Sequence, residues 1–348
     1  MRSPPSAQVF RRASRLARQA LPVLELGARR ALGRRSPFQM TLSLTNRCNF
    51  KCEYCDIPLQ RRDEMSTVQW TRAIDELRDA GMGRASLIGG EPLLREDAGE
   101  IIAHLVRRGV HAAMNTNGWL VEDRLDEVSR LDLVCVTLDG PRDVHDTQRR
   151  RGSYDRVISA IDALRRRGVA VVTMTVLTPR GADNVDHVLD VARAFGFKAF
   201  FQLEHDKGCD VEAPIAPRLG DERIAHVARR LLDAKARGMP VGNSRELLDR
   251  HAEGRRYLGT CADCWAGEYY GYVLSDGTVA PCLLTQWQVE RGNGLTEGFA
   301  RAFDKLVAPH GPGCACLPTH EVNRVLDLDV HALWHAIEVS LAQPTPSP

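Results

Sequence analysis

From residue 40 onward the chain switches repeatedly between short apolar runs and segments with helical spacing, and this alternation leaves few folds open. The runs MTLSLT (40–45), ASLIG (85–89), VHAAMN (110–115), LVCVTL (133–138), VAVVTMTVL (169–177) and KAFFQLE (198–204) read as six strands. Residues 66–80, 96–108, a short piece near 122–129, 153–167 and 183–195 read as the helices between them. No sequence repeat underlies the series. Repeated strand–helix–strand units demand a parallel sheet with crossover helices, either a barrel or an open doubly wound sheet. In both, chemistry collects at the carboxyl ends of the strands. After Glu204 the alternation stops. A loop and helices at 220–237 and 244–256 follow, then a Cys- and Gly-rich region from Cys261, a last helix at 327–342 and a tail.

Composition narrows the classes. At 348 residues the chain can hold one large α/β domain with a small appendage. Lys and Arg (47) nearly balance Asp and Glu (45), which gives no reason to expect a nucleic-acid partner. No run of about 18 apolar residues is present, so no transmembrane helix is expected. Arg11, Arg12, Arg15 and Arg18 interrupt what would be the apolar core of a secretory signal. A reducing cytoplasmic setting is therefore expected, in which the ten cysteines serve as metal ligands rather than as a disulfide framework. Residues 1–38 carry nine Arg against the single acid Glu25, with leucines and alanines at helical spacing. Pro22 divides this basic amphipathic segment into two short helices, which either touch an anionic membrane surface peripherally or dock on the protein.

Directly after the first strand, Cys48, Cys52 and Cys55 stand at spacings of four and three. Three thiolates on a compact loop can hold three irons of a [4Fe–4S] cluster and leave the fourth open. Structural zinc is the alternative, although closed zinc sites want four ligands. With Tyr54 before its last cysteine, the loop resembles that of the radical S-adenosylmethionine (SAM) superfamily, whose fold is a partial (β/α)6 barrel. GGEPLLR (89–95) after the second strand, NTNG (115–118) after the third and TLDG (137–140) after the fourth extend the resemblance over about residues 41–204.

The resemblance implies a SAM-binding [4Fe–4S] cluster on Cys48, Cys52 and Cys55, with SAM contacts from Tyr54, Gly89, Gly90, Glu91, Thr116, Asn117, Thr137 and Asp139. It also implies one-electron reduction by a reductase or a flavodoxin- or ferredoxin-type donor. The C–S bond of SAM then breaks, and a 5′-deoxyadenosyl radical takes hydrogen from a substrate C–H bond.

A second cysteine group follows. Cys264, twelve residues, Gly277, four residues and Cys282 resemble the opening of the auxiliary-cluster region called SPASM, or twitch in its shorter form. YVLSDGTVAPC reads as a hairpin turning at Asp276-Gly277. Cys264, Cys282, Cys314 and Cys316, with Cys261 competing for one place, suit one auxiliary [4Fe–4S] cluster or a zinc ribbon. The expected organisation is a basic segment at 1–38, a partial barrel at 39–215, a helical connection at 216–260, the auxiliary region at 261–342 and a tail at 343–348.

Other residues carry two readings each. Cys209 follows the sixth strand, as a hydrogen-atom donor or ligand, or as an idle loop thiol. Asp276 and Glu268 are a base pair of candidates near the auxiliary site, though turn formation alone explains Asp276. His331 and His335 have metal-pair spacing or simply pack, and Cys135 reads as a core residue. HDTQRRRGSYDRV (145–157) resembles the segment after the fourth strand in SPASM relatives, and its arginines face either substrate anions or water. The expected function is oxidoreductase-like modification of a small molecule or peptide; the alternative is a non-catalytic iron–sulfur or zinc protein that retains the fold. About 40 residues ahead of the barrel are too few for a fused leader-binding module, which leans away from a self-contained peptide maturase.

Overall fold

The computed structural model describes Arg18 and residues 21–203, 219–254, 258–260, 264–283, 291–308, 312–314, 317–327, 329 and 332–333. Six parallel strands form its centre: β1 (Gln39–Thr45), β2 (Arg84–Gly89), β3 (His111–Thr116), β4 (Leu133–Thr137), β5 (Ala170–Leu177) and β6 (Lys198–Leu203). They lie side by side in chain order, as crossover helices require. Each expected strand is present to within about a residue at either end.

The crossover helices follow from local chemistry. Thr67–Asp79 starts at Ser66, whose hydroxyl accepts the Gln69 N–H while the Gln69 side chain accepts the Ser66 N–H. That helix buries Trp70, Ala73, Ile74 and Leu77 on one face. Ala98–Arg107 buries Ile101, Ile102 and Leu105, and Ser153–Arg166 buries Val157, Ile161 and Leu164. Val185–Phe195 stops at Gly196, which takes the left-handed conformation (φ 69°) that ends a helix without a Cβ penalty. Together with the inner strands these faces make one continuous apolar core.

The barrel is open: β6 does not meet β1. Instead β6 is covered by the segment between the helices Asp221–Ala236 and Arg245–Ala252. Asn243 mimics a neighbouring strand there, accepting the Phe201 N–H at 2.9 Å and donating to the Phe201 carbonyl at 2.9 Å. Ala199 N donates to the Pro240 carbonyl and Gly242 N to the Ala199 carbonyl, so the edge is not left as an unpaired template.

On the other side the sheet continues into the C-terminal region. β7 (Leu258–Thr260) precedes a hairpin of β8 (Tyr270–Val273) and β9 (Thr278–Ala280), followed by β10 (Gly292–Asn293) and β11 (Pro312–Cys314). β8 pairs in parallel with β1, Gln39 opposite Tyr270 and Leu42 opposite Val273, giving a nine-stranded sheet; β7 and β11 form a separate antiparallel pair. The cysteine-bearing hairpin is thus an extension of the barrel sheet.

The N-terminal segment is docked. Arg18 and residues 21–31 are helical; residues 19 and 20, where the break expected at Pro22 would fall, lie outside the described residues. Leu26 is buried with Phe38, Tyr269, Tyr270 and Leu326. Arg18 pairs with buried Asp132 at 2.6 Å, Arg30 lies 4.5 Å over the Trp265 ring, and Arg35 donates to the carbonyls of Gly267 and Leu306 at 2.6 Å. Among the described residues no helix is long and apolar enough to cross a membrane. A helix at Leu317–Leu326, not expected from the sequence, precedes the one expected at 327–342, most of which lies outside the described residues.

Candidate active site

The carboxyl ends of β1 to β4 bring four loops together, and each loop carries one of the sequence motifs. The first two are locked by backbone. Gly90 N donates to the Thr45 carbonyl at 2.7 Å and Glu91 N to the Arg47 carbonyl at 2.9 Å. A Cβ on Gly89 would lie 2.2 Å from the Thr45 carbonyl oxygen, and one on Gly90 2.2 Å from that of Arg47. Both glycines are needed for the chain's own close approach, before any ligand is considered.

Glu91 ties this pair to the third loop. Its carboxylate accepts the Thr116 hydroxyl at 2.9 Å, the Leu93 N–H at 3.1 Å and the Asn117 N–H at 2.8 Å. Full burial pushes its pKa up to about 7, against the pull of those donors. Asn117 in turn donates to the Asn49 side chain at 2.8 Å and approaches the Cys48 Sγ at 3.9 Å, while Asn115 is exposed at the end of β3.

The cysteine loop follows β1. Cys55 N donates to the Cys52 carbonyl at 3.1 Å, and Phe50 N donates to the Cys48 Sγ at 3.4 Å. Burial is the main force raising the thiol pKa of all three cysteines, Cys55 to about 11, and mutual repulsion of Cys48, Cys52 and Cys55 adds to it for that residue. The three are unbridged and share one neighbourhood. Among the described residues no three His, Cys, Asp or Glu side chains already stand in metal-ligating geometry.

The arginines of 145–157 were expected to face substrate anions or water, and for Arg149 that is corrected: its side chain is 7% exposed and turned inward. Its guanidinium is buried beside Asp139, Nε donating to Oδ2 at 2.5 Å; it also donates to the Tyr54 hydroxyl and approaches the Cys52 Sγ at 3.8 Å. Tyr54 donates to Asp139 at 3.2 Å, and the other Asp139 oxygen accepts the Val176 N–H at 3.0 Å. Asp139 was expected at the nucleotide. In this arrangement both its oxygens are committed to Arg149, Tyr54 and the β5 backbone, so it acts as a joint between loops. Thr137 is half-buried at the end of β4. Cys135, two residues back, is buried with Val172 against Leu133, Met174 and Phe200, the core role expected for it.

Residues 42–193 match the family model described as the Radical SAM superfamily. That stretch belongs to the radical SAM superfamily. PqqA peptide cyclase of Granulibacter bethesdensis is 27% identical over 169 residues, 46% of this chain and 45% of that one. Fe-coproporphyrin III synthase of Methanosarcina barkeri is 30% identical over 159 residues, 43% and 39% of the two chains. The matches therefore span less than half the length of these curated relatives. Streptococcus suis SuiB bound to the precursor peptide SuiA shares the fold, with a TM-score of 0.65 over 80% of this chain and 67% of that one at 13% identity.

The donor set fits the radical SAM cluster. Buried thiols with raised pKa values become thiolates only beside a cation, and the sulfurs already face N–H groups of Phe50, Asn117 and Arg149 that would stabilise that charge.

At the second cysteine group the hairpin turns as expected, with Gly277 at φ 83° and the Asp276 carboxylate accepting the Thr278 N–H at 3.0 Å. Asp276 also pairs with Arg62 at 2.7 Å, just beyond the cysteine loop. Its pKa is lowered: burial works against that, but hydrogen bonds to Thr278 and Arg62 prevail. A carboxylate whose pKa is lowered and which is held by an arginine is a weaker proton acceptor, which favours the turn-forming reading of Asp276 over that of a base. Cys264 Sγ lies 3.0 Å from the Tyr270 hydroxyl and accepts Asn323 Nδ2 at 3.5 Å; Cys282 is buried in the same cluster. Cys209, Cys261, Cys316, His331 and His335, and the side chain of Cys314, lie outside the described residues.

Proposed function

We propose that this protein is a radical SAM enzyme that removes a hydrogen atom from a C–H bond of a peptide substrate. The observation that carries the reading is the three-cysteine loop at the end of β1, held by loops from β2, β3 and β4 and offering three thiols where a cluster needs four iron ligands. When bound, the cluster and SAM supply the one-electron cleavage that yields a 5′-deoxyadenosyl radical. The chain's own part is to bind and orient. Cys48, Cys52 and Cys55 hold the cluster; Gly89, Gly90, Thr116, Asn117 and Thr137 surround the SAM position; and Glu91, Asp139 and Arg149 fix these loops to one another. Substrate enters from the open side of the barrel at the strand carboxyl ends.

Peptide as the substrate class is supported by relatives described as PqqA peptide cyclase and by SuiB bound to its precursor peptide. Cys264 and Cys282, with Cys314 and Cys316, hold an auxiliary [4Fe–4S] cluster in this reading, and a flavodoxin- or ferredoxin-type donor supplies the electron in the cytoplasm. Exposed Leu21 and Leu24 on the docked N-terminal helix, with exposed Leu32 in the turn that follows it, support peripheral contact with a membrane.

The test is anaerobic reconstitution with iron and sulfide, then reduction in the presence of SAM. Wild type should release 5′-deoxyadenosine and Cys52→Ala should not; no release from wild type overturns the reading. Iron of about eight per chain marks two clusters, whereas about four with one zinc marks a zinc ribbon at the second site.

A further inference from the structure

Beside the cysteine loop the described chain builds a platform that none of the roles above uses. Phe50, inside the loop, meets Trp119 edge to face with ring centroids 5.8 Å apart. The Arg150 guanidinium lies 4.0 Å over the Trp119 ring and 5.9 Å from that of Phe50, and Arg156 sits 5.4 Å from Trp119 on its own approach. Trp119 is half-buried, while Arg150 and its neighbour Arg151 are exposed. Both flanks of the platform belong to the site: Trp119 N donates to Asn117 Oδ1 at 3.0 Å, and Arg149, next to Arg150, approaches Cys52.

Arg156 is paired with Glu122, but the charge of Arg150 is not consumed locally. Arg150 donates through Nη1 to the Asn49 carbonyl at 3.3 Å, leaving most of its five N–H groups for another acceptor. Nearby acids are otherwise engaged: Glu122 accepts Ser159 at 2.7 Å and lies 3.8 Å from Arg156, Asp146 accepts the N–H groups of Gly152 and Tyr154, and Glu53 lies 3.6 Å from Arg180. Placement over an indole restrains the guanidinium while its remaining N–H groups stay available for bidentate capture of a carboxylate. The exposed Glu122 and Asp123 beside it disfavour an extended polyanion such as a nucleic acid more than a short acidic peptide.

We propose that the Trp119–Arg150 platform, with Arg151, docks an acidic side chain of the substrate peptide and so sets which residue faces the SAM site. The identity of the ligand rests on the peptide reading above; the existence of a carboxylate site does not. The experiment uses full-length reconstituted protein without reductant and follows the anisotropy of fluorescein-labelled hexaglutamate and hexaglutamine peptides. Hexaglutamate should bind and hexaglutamine should not. Arg150→Gln and Trp119→Leu should each weaken binding by about tenfold or more, as expected for loss of a charge-assisted hydrogen bond or of its support. Arg150→Lys, which keeps the charge but not the fork, should restore only part of it, and Arg151→Gln provides a second substitution if Arg150→Gln does not fold. Equal binding of the two peptides, or unchanged hexaglutamate binding by correctly folded Arg150→Gln or Arg151→Gln, overturns the proposal. So does tighter, Arg150-dependent binding of a labelled single-stranded oligonucleotide, which would assign the platform to nucleic acid. Failure of wild type to cleave SAM would instead count against the enzymatic reading alone.

Discussion

At the scale of single residues, the site depends on a few groups whose partners are buried with them. The Arg149–Asp139 pair is the clearest case, with side-chain exposures of 7% and 0%. Arg149→Leu leaves the Asp139 carboxylate buried without its counter-charge, and a loss of about 3–5 kcal/mol is expected in chemical denaturation. Gly90→Ala tests the close approach of the first two loops. Its Cβ would meet the Arg47 carbonyl at 2.2 Å, so the cysteine loop must shift. Stability should fall by about 1–3 kcal/mol and iron uptake on reconstitution should drop, whereas the same change at Gly27, which has neither a neighbour within 4 Å nor a positive φ, meets no such contact. The cysteines, glycines and Glu91 were legible because each falls at a fixed offset from a strand end. Arg149 was not, because nothing in RRR tells which of three arginines turns inward; that is decided by its pairing with Asp139, 10 residues back, and with Tyr54, 95 residues back in the chain.

At the scale of elements, the short helix Arg142–Gln148 holds the fourth loop in place. His145 on that helix is fully buried, and its Nδ1 accepts the Asp139 N–H at 3.2 Å. Burial, reinforced by Arg149, lowers its pKa from 6.5 to about 4. Between those values the unfolded chain binds a proton that the native protein does not, so stability falls as pH drops through this window, by up to about 1.4 kcal/mol per pH unit. His145→Gln should flatten the slope of unfolding free energy against pH there; an unchanged slope would show that the native imidazole titrates normally. The six strands and their crossover helices were readable from period alone, since parallel strands buried on both faces are near-continuous apolar runs. The parallel pairing of β8 with β1 was not readable, because a hairpin's sequence fixes its own turn and says nothing of which outer edge it joins.

At the scale of the whole molecule, the docked N-terminal helix ties the barrel to the C-terminal region through Leu26 and the arginines around it. Leu26→Ala should cost about 2–5 kcal/mol by thermal or chemical unfolding, and an effect near zero would show that the helix is dispensable to the fold. The basic composition of this segment was visible in the sequence. Its destination was not, because a basic amphipathic helix suits a membrane surface and an acidic protein surface equally well. Around this frame the fold leaves the strand carboxyl ends of the open barrel as the place where four loops meet three thiols, and the functional account depends on one iron there being left for SAM. Electron paramagnetic resonance of the reduced, reconstituted protein before and after addition of SAM addresses that directly. A cluster signal that changes on addition of SAM, with no such change in Cys52→Ala, is the expected result; a wild-type spectrum indifferent to SAM would contradict it.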